Sequence, residues 1–360
     1  MSGAPDVAVV GGGIVGCALA AFCAEAGAAV RLYERDRIAA GASGRNSGLL
    51  QHPLDDALVG LYRESLRHYA ELEGFELPAA PVGLLLVSPD RDALAAEAAE
   101  LGTHFPEIAG ELLDDAAEAE PCVAPGLAGA RLPTGHPVPP AAATDAFAAR
   151  ARAAGAVLRV GEAAAVVVQD GRAAGVRVDG ALEPAGAVAV AAGPWTPEAF
   201  GGAAPPPAVG PLWGAIAEVA LERPPTHAIE EAGSAVLTGP EGTPPAMFTL
   251  VTARGVSAVG SVFLAEEPDH AALAPRLLAR GARYVPALAD AVPRATRACA
   301  RPQTADGRPL LGPVPGVAGL AVATGHGPWG ITLGPASGRL VADGLLGRDA
   351  EVPAALAAGR

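Results

Sequence analysis

Residues 6–16 read DVAVVGGGIVG, an apolar run that ends in a cluster of glycines. The run is uncharged after Asp6 and rich in valine, which predicts a buried parallel strand. An alanine-rich stretch over residues 14–26 stops at Gly27, as a helix with a glycine just beyond its end does. Residues 28–33 predict a second strand. Strand, helix and strand within ~30 residues form a βαβ unit, so this stretch predicts an α/β fold.

The glycine spacing in this unit matches G-x-G-x-x-G, the fingerprint of a dinucleotide site. The first glycine permits a tight turn, the second lets the backbone approach a pyrophosphate, and the third lets helix and strand pack closely. The helix that follows offers unpaired N–H groups to the anion. A carboxylate at the end of the second strand can accept hydrogen bonds from a ribose. The dinucleotide-binding residues predicted in this way are Gly11, Gly13, Ile14, Val15, Gly16 and Glu34.

A second glycine-rich loop, GASGRNSG at residues 41–48, follows the βαβ unit. Its backbone N–H groups and hydroxyls, together with one arginine, suit a second stretch of pyrophosphate and the edge of a flavin. The loop therefore favours FAD over NAD as the dinucleotide, and residues 41–48 are called the flavin loop below. Taken alone, the loop has an alternative interpretation as a flexible surface linker.

The rest of the chain alternates helix and strand signals around a β-rich stretch. Residues 144–154 predict a helix that begins with a Thr/Asp cap, and residues 185–191 and 319–324 predict buried strands. Residues 212–267 carry the β segments AIAEVAL, AVLTG, MFTLV and SAVGSVF. We expect a Rossmann-like FAD-binding domain formed by residues 1–80, 140–210 and 300–360. An inserted α+β substrate domain, built on an antiparallel sheet, is expected from residues 81–139 and 211–299.

Composition excludes several functions. All 25 basic residues are arginines, which excludes a pyridoxal-phosphate Schiff base and a Walker A loop. A net charge of −14 without basic runs argues against nucleic acid and anionic membranes as partners. The cysteines are scattered without a CxxC or Cys/His cluster, so we expect no metal site and a cytoplasmic location. Residues 7–24 are uncharged but contain four glycines and no basic flank, so we expect no integral membrane segment.

Three later segments join the two glycine-rich motifs in a fixed order. GGGIVG (11–16), LYERD (32–36) and GASGRNSG (41–48) are followed by AVAVAAGPWT (187–196), ARPQTADGRPLLGPVPG (300–316) and ATGHGPWGITLGPASG (323–338). Together they resemble the FAD-dependent amino-acid oxidoreductases, a family of glycine oxidase, sarcosine oxidase and D-amino-acid dehydrogenase type. The resemblance spans nearly the whole chain and implies an enzyme that binds FAD.

The resemblance also implies which residues hold FAD. The ADP half would lie against the glycine motif, Glu34 and Arg35, with the adenine near the backbone of Ala164. A helix that begins near residue 330 would point its N-terminal dipole at the charge of a reduced flavin, where some flavoenzymes place a lysine. The residues implied beyond the glycine motif are Arg35, Ser43, Gly44, Arg45, Asn46, Ser47, Gly48, Leu49, Ala164, Gly193, Trp195, Gly327, Trp329, Gly330, Ile331 and Thr332.

On the substrate side, Arg301 matches the family's arginine that binds the substrate carboxylate, which a guanidinium can engage through two hydrogen bonds. Phe248 stands where glycine oxidase has a tyrosine, Pro328 replaces an arginine, and Gln51 and His52 follow the flavin loop. These departures favour a bulkier or N-substituted amino acid over glycine. The substrate-site residues implied by the resemblance are Arg301, Gln51, His52, Phe248 and Trp329.

The implied reaction is oxidation of a small amine: an N-substituted glycine, glycine or a D-amino acid. Hydride would move from Cα to flavin N5, and the imine would hydrolyse to an oxo acid and an amine or ammonia. O2 or another acceptor would take the electrons. We expect non-covalent FAD, because Arg301 occupies the position at which sarcosine oxidases attach the flavin to a cysteine, and Cys299 lies two residues earlier.

Two alternatives stay open at this point. One is a related flavoenzyme that dehydrogenates a 2-hydroxy acid, with His52 or His326 as the candidate base. The other is a non-catalytic FAD-binding protein. The sequence leaves open which amine is used, which acceptor reoxidises the flavin, and whether the chain forms a homo-oligomer.

Overall fold

The structure, a computed structural model, describes residues 3–233 and 245–360. Its helices are α1 (Ile14–Glu25), α2 (Ala42–Arg45), α3 (Asp56–Ala70), α4 (Arg91–His104), α5 (Ala142–Ala153), α6 (Thr196–Ala199), α7 (His270–Gly281) and α8 (Gly330–Leu345). Its first strands are β1 (Val7–Val10), β2 (Val30–Glu34), β3 (Leu49–Leu50), β4 (Leu84–Ser88), β5 (Glu111–Leu113), β6 (Ala128–Leu132), β7 (His136–Pro137), β8 (Val157–Val160), β9 (Ala164–Gln169) and β10 (Arg172–Val178). The later strands are β11 (Ala181–Pro184), β12 (Ala187–Val190), β13 (Gly210–Val219), β14 (Ala228–Glu231), β15 (Ala246–Ala253), β16 (Val256–Val262), β17 (Ala295–Gln303), β18 (Leu310–Pro313) and β19 (Leu320–Thr324).

The nucleotide half is built on a six-stranded sheet with the order β18-β19-β12-β1-β2-β8. All neighbouring pairs are parallel except β18 with β19. Alternate residues of β1 face opposite sides: Val7 and Val9 lie in the core formed with α1, α5 and α8, whereas Ala8 and Val10 pack towards the sheet of β9, β10 and β11. Because both faces are covered, the strand is apolar throughout, as expected for a buried parallel strand.

The second half is an eight-stranded sheet with the order β17-β13-β16-β15-β14-β4-β6-β5. We expected an antiparallel sheet, but β14 and β4 pair in parallel, so the sheet is mixed. This pair joins strands from the two separate substrate segments of the chain, and the direction of such a pairing leaves no signal within either strand. Helix α7 packs on one face of the sheet through Ala274, Leu277 and Leu278, and the other face borders the cavity described below.

The strands of each sheet follow the expected segments closely. Those of the six-stranded sheet fall within residues 1–80, 140–210 and 300–360, and those of the eight-stranded sheet fall within 81–139 and 211–299, except that β13 begins at Gly210 and β17 continues to Gln303. The domain boundaries themselves stay a prediction. The expected strand AVLTG lies outside the described residues.

The structure corrects one smaller expectation. Helix α5 begins at Ala142 without a side-chain cap, so the predicted Thr/Asp cap is wrong and Thr144 lies buried inside the helix. No helix in the described ranges is long and apolar enough to cross a membrane. Over the same ranges, no group of His, Cys, Asp and Glu side chains is arranged to hold a metal ion, and all four cysteines are free. The cytoplasmic location stays a prediction.

Candidate functional site

One large cavity of about 900 Å³ begins at the carboxyl ends of β1, β2, β12 and β19 and extends to the face of the eight-stranded sheet. In a parallel sheet this edge is the usual place for a nucleotide, because the loops that follow the strands all meet there. Residues of both sheets line the cavity, so a ligand bound to the nucleotide half can reach a second ligand on the other sheet.

The turn after β1 is shaped for close approach of a ligand. Gly11 has φ of +115°, and a Cβ added to Gly16 would overlap the Gly11 carbonyl oxygen. The Gly12 N–H donates to Glu34 Oε2 at 2.7 Å, and the Ile14 N–H donates to Ser43 Oγ at 2.9 Å. Glu34 of β2 and Ser43 of the second loop therefore hold the start of α1. The turn of glycines over residues 11–16, called the glycine cradle below, fits the pyrophosphate of a dinucleotide.

The outer end of the cavity carries an arginine stacked on a tryptophan. The Arg35 guanidinium lies 4.3 Å from the centre of the Trp195 ring, and Ala164 and Arg177 line the same end. Gly193 begins the turn that presents Trp195, and its carbonyl accepts hydrogen bonds from the hydroxyls of Thr196 and Thr324. An aromatic face, a cation and open backbone suit an adenosine.

The second glycine-rich loop forms the short helix α2 and then runs into β3. The Asn46 amide donates to the carbonyls of Ala42 and Ser43, while its Oδ1 accepts from the Gly48 N–H. The side chain thus sets the shape of the loop. An added Cβ at Gly44 or Gly48 would overlap a backbone oxygen, so these two glycines permit packing and do not themselves line the cavity.

Arg297 ties this loop to the eight-stranded sheet. Its Nε donates to the Arg45 carbonyl at 3.0 Å and a terminal nitrogen donates to the Asn46 carbonyl at 2.9 Å. The same guanidinium forms an ion pair with Glu218. The flavin loop is therefore held by a residue of β17, the strand that also carries Arg301.

Helix α8 begins at Gly330, where the sequence predicted a helix start. Gly327, Gly330, Ile331 and Thr332 line the cavity, and the residue before the helix, Trp329, provides no side-chain cap. The uncapped amides give this end of α8 a partial positive charge. A helix end of this kind fits the anionic edge of a reduced flavin, in a chain that has no lysine to place there.

Arg301 lies in the inner part of the cavity and is partly buried. One terminal nitrogen donates to Ser261 Oγ at 2.6 Å, the other to the Val262 carbonyl at 3.2 Å, and the guanidinium lies 4.9 Å from the centre of the Phe263 ring. Burial lowers its pKa from the usual value, but a guanidinium stays charged in proteins. No carboxylate among the described residues pairs with it.

The wall opposite the flavin loop comes from the middle of the eight-stranded sheet. Glu230, Met247 and Thr249 project from β14 and β15 into the cavity, and Gln51 reaches the same region from the loop after β3. Burial raises the pKa of Glu230 to about 7, although a hydrogen bond from the Gln51 side chain acts to lower it. The cavity thus contains a cation on β17 and an acid of unusual pKa on β14, with three strands of the same sheet between them.

Phe248 lies elsewhere, contrary to the placement expected for it. Its side chain is fully buried and stacks on Tyr284 at 5.1 Å between ring centres. Successive residues of a strand face opposite sides, so Met247 and Thr249 face the cavity while Phe248 faces α7. The expected position was off by one residue, and in a strand one residue changes the face.

His52 is a second correction. It is buried against Phe105 and Tyr62, and its Nε2 lies 3.3 Å from Glu107 Oε1. The side chain does not line the cavity. Its neighbour Gln51 does line it.

Most of the expected positions do line the cavity. They are Gly11, Gly13, Ile14, Val15, Glu34, Arg35, Ser43, Arg45, Asn46, Ser47, Leu49, Gln51, Ala164, Gly193, Trp195, Arg301, Gly327, Trp329, Gly330, Ile331 and Thr332. Sequence reasoning missed Glu230, Met247, Thr249, Ser261 and Phe263, which line the inner part. The alternation of residues in β15 could have indicated Met247 and Thr249, whereas nothing local distinguishes Glu230 from Glu231.

Comparisons with known proteins agree with this geometry. Glycine oxidase of Geobacillus kaustophilus (strain HTA426) is 29% identical over 376 aligned positions, which cover 94% of this chain and 92% of that protein. The crystal structure of glycine oxidase from Geobacillus kaustophilus superposes with a TM-score of 0.82 at 26% identity, covering 99% and 98% of the two chains. Iminodiacetate oxidase from Chelativorans sp. BNC1 gives a TM-score of 0.83 at 25% identity, covering 98% of each.

A family model described as FAD dependent oxidoreductase matches residues 6–344. The match confirms the predicted enzyme class and cofactor, and the solved structures confirm the predicted α/β fold with its FAD-binding half. The glycine cradle, the second loop and the uncapped start of α8 fit that cofactor, and their assignment to it stays a prediction. The chain belongs to the FAD dependent oxidoreductase family.

Proposed function

We propose that this enzyme oxidises a small amine that carries a carboxylate: an N-substituted glycine, glycine or a D-amino acid. The observation that carries the proposal is the position of Arg301, a partly buried cation in the inner part of the cavity without a carboxylate partner among the described residues. A charge partly removed from water without a counter-ion is costly, and a substrate carboxylate would supply the missing charge.

Arg301 is suited to orient such a substrate. Ser261 and the Val262 carbonyl accept two of its hydrogen bonds, and a guanidinium has five N–H donors in a planar fork. The remaining donors can engage both oxygens of a carboxylate. A ligand held at two oxygens cannot turn about its bond to Cα, so its Cα–H can be presented in one direction.

Bound FAD would supply the acceptor for the Cα hydrogen, which leaves as a hydride carrying both electrons of the Cα–H bond. This chain's contribution is position and charge. The uncapped start of α8 at Gly330 favours added negative charge near that end of the cavity, and Arg297 holds the loop that includes Arg45 and Asn46. Both features support a redox role over a purely structural use of FAD.

The geometry supports an amine over a 2-hydroxy acid. Oxidation of an alcohol needs a base for the hydroxyl proton, whereas an amine bound in its neutral form needs none during hydride transfer. Of the two candidate bases, His52 lies outside the cavity, and the Nε2 of His326 is engaged with Ser337 Oγ at 3.0 Å.

Anaerobic mixing of the holoenzyme with N-alkylglycines, glycine, D-amino acids and 2-hydroxy acids tests the proposal. Amines should bleach the flavin absorbance, and admitting air then reports whether O2 restores it. R301A should keep FAD bound, but its rate of flavin reduction should no longer saturate as the substrate concentration rises. R223A, a change at an exposed arginine, should behave as wild type. Bleaching by hydroxy acids alone would contradict the proposal, and no bleaching by any compound would favour a non-catalytic role.

A further inference from the structure

Glu230 faces the cavity from β14, in the middle of the eight-stranded sheet. Its neighbour Glu231 points to the other face, where Arg280 and Tyr284 satisfy its carboxylate. Glu230 has no such partners among the described residues: the group that hydrogen-bonds it is the Gln51 side chain. A carboxyl in the substrate region without a cationic partner is complementary to the positive end of a ligand.

The register of the sheet relates Glu230 to the site of Arg301. Glu230 pairs with Thr249 on β15, and Thr249 pairs with Gly260 on β16. The next residue, Ser261, accepts a hydrogen bond from the Arg301 guanidinium. Glu230 therefore lies two strand spacings from the residue that holds the guanidinium, about 10 Å between backbones. Because side chains stand roughly perpendicular to a sheet, this separation leaves room between the two sites for one small zwitterion with a hydrogen bond of about 2.8 Å at each end.

Gln51 adds a second acceptor beside Glu230. Its amide donates to the Glu230 carboxyl, while its Oε1 is buried without a hydrogen-bond partner among the described residues. A buried amide oxygen is normally satisfied. A protonated amine has two or three N–H donors to share between a carboxylate and an amide oxygen.

We propose that Glu230 binds the ammonium group of the substrate and accepts its proton, while Gln51 Oε1 accepts another of its N–H groups. The inference rests on the proposed function and assigns the amine end of that same site. The N–H bond breaks, its electron pair stays on nitrogen, and the proton goes to the Glu230 carboxylate. The resulting neutral amine has the lone pair that would form the C=N bond as Cα gives up its hydrogen as a hydride.

The surroundings of Glu230 suit a proton acceptor. Burial raises its pKa to about 7, against the opposing effect of the Gln51 hydrogen bond, so it exchanges a proton near neutral pH. The flanking strands β4 and β15 carry no titratable side chain. Nearby, His52 faces Glu107 and His136 faces the Pro78 carbonyl. The other titratable groups in the inner cavity are Glu267, Cys299, Arg301 and His326.

A consequence for specificity follows from charge. A substrate with one carboxylate and one amine matches Arg301 and Glu230, whereas a second carboxylate at the amine end would meet the ionised Glu230 and be repelled. We therefore expect monocarboxylate amines to be preferred over iminodiacetate.

The test measures flavin reduction by stopped flow under anaerobic conditions, from pH 5.5 to 10, in wild type, E230Q and E97Q. Glu97 is a partly buried carboxyl whose pKa burial also raises, and it lies outside the cavity. Wild type and E97Q should show a rise in the reduction rate with a pKa near 7. E230Q should be slower by about 10²-fold at pH 7, and its rate should rise only as the amine itself deprotonates. A wild-type rate and pH profile in E230Q would overturn the inference.

A second readout requires no turnover. Methoxyacetate carries the carboxylate but no N–H group, and its binding can be followed by the change in flavin absorbance. E230Q should bind it at least as tightly as wild type while losing affinity for the amine substrate tenfold or more. Equal weakening of both ligands would indicate a merely structural role and would overturn the inference.

A variant of Gln51 provides an independent check. Q51L removes the hydrogen bond that lowers the pKa of Glu230, so the rise in rate should move to higher pH, and an unmoved profile would count against the inference.

If amines reduce wild type but E230Q is unaffected, only this inference fails. If no amine reduces wild type, the proposed function fails and this inference fails with it.

Discussion

The guanidinium of Arg301 and the hydroxyl of Ser261 lie 2.6 Å apart, across two strands of the eight-stranded sheet that are not neighbours. Strand β13 lies between them, so the arginine reaches over it to rest on β16. The arginine side chain packs directly on β13 at Gly214. Only glycine fits there, because an added Cβ would collide with the Arg301 side chain. The orientation of the Arg301 guanidinium is therefore set by Ser261 and Gly214 together.

S261A should raise KM for the amine substrate about tenfold with a smaller effect on kcat. A hydrogen bond to a charged group contributes roughly 1.5–3 kcal/mol, and its loss frees the guanidinium to sample other directions. Steady-state kinetics would measure the change. The control is S257A on the same strand, whose hydroxyl contacts Thr252 outside the cavity. Unaltered KM in S261A would show that Val262 and Phe263 suffice to hold the arginine.

R297M should weaken FAD binding by about tenfold or more, because three interactions that hold the flavin loop are lost together. Titration of the apoprotein with FAD, followed by quenching of flavin fluorescence, would measure the dissociation constant. R348M removes an exposed arginine paired with Asp343 and should leave FAD binding unchanged. Equal affinities in R297M and wild type would mean that the loop keeps its shape without this support.

G16A should give a protein that binds no FAD or fails to fold, because the new Cβ would overlap the Gly11 carbonyl oxygen where α1 crosses β1. The matched change G60A lies within α3, where an added Cβ meets nothing within 4 Å. G60A should stabilise the protein by roughly 0.5–1 kcal/mol, since alanine favours a helix over glycine. Thermal unfolding and flavin absorbance of both variants would measure these effects. A folded, yellow G16A protein would contradict the expected overlap.

Acid should destabilise the fold in part through His326. Burial lowers the pKa of His326 to about 4, below the ~6.5 of an exposed histidine. The folded state therefore resists protonation. The contribution of neutral His326 to the free energy of unfolding is fully present above pH 6.5. It is lost as the pH falls from 6.5 towards 4, and the loss is on the order of 2 kcal/mol by pH 5. Urea unfolding at pH 7.5 and 5 should show a smaller drop for H326Q. H104Q, a change at an exposed histidine, should lose as much free energy of unfolding between pH 7.5 and 5 as wild type. If H326Q lost as much as wild type too, the loss would come from other groups.

Acid precipitation of the holoenzyme should leave a colourless pellet and a yellow supernatant, because we expect FAD to be held without a covalent bond. Cys299 lines the cavity, but burial raises the pKa of its thiol, so the reactive thiolate is disfavoured. Absorbance at flavin wavelengths in both fractions would measure the result. Yellow colour that stays in the pellet would show attachment, and C299A would then identify the residue.

Local sequence patterns predicted the nucleotide half well, for physical reasons. Gly11 and Gly16 act through steric limits on their own backbone, and the strand, turn and helix around them are contiguous in the chain. The start of α8 at Gly330 was equally predictable, because a glycine-rich turn followed by an apolar helical stretch marks it locally. The start of α5 was not, since its expected cap at Thr144 is buried inside the helix.

The substrate half depended on relationships between distant strands. Phe248 was expected in the cavity, but the alternation of β15 presents Met247 and Thr249 instead. A register error of one residue exchanges the two faces of a strand, and no neighbouring residue in the sequence reveals it. His52 is buried against Tyr62 and Phe105 outside the cavity, and Gln51 is the residue that enters it.

The sequence by itself determined the α/β class and the dinucleotide-binding motif, because both depend on contiguous residues. Its resemblance to the FAD-dependent family implied the arginine that suits a carboxylate. Only the tertiary structure decided which side chains meet that arginine. Glu230 and Glu231 are adjacent and chemically identical, yet one faces the cavity and the other a buried arginine. Their roles differ because pairing with β4 and β15, strands from separate parts of the chain, determines the face and the burial of each carboxyl.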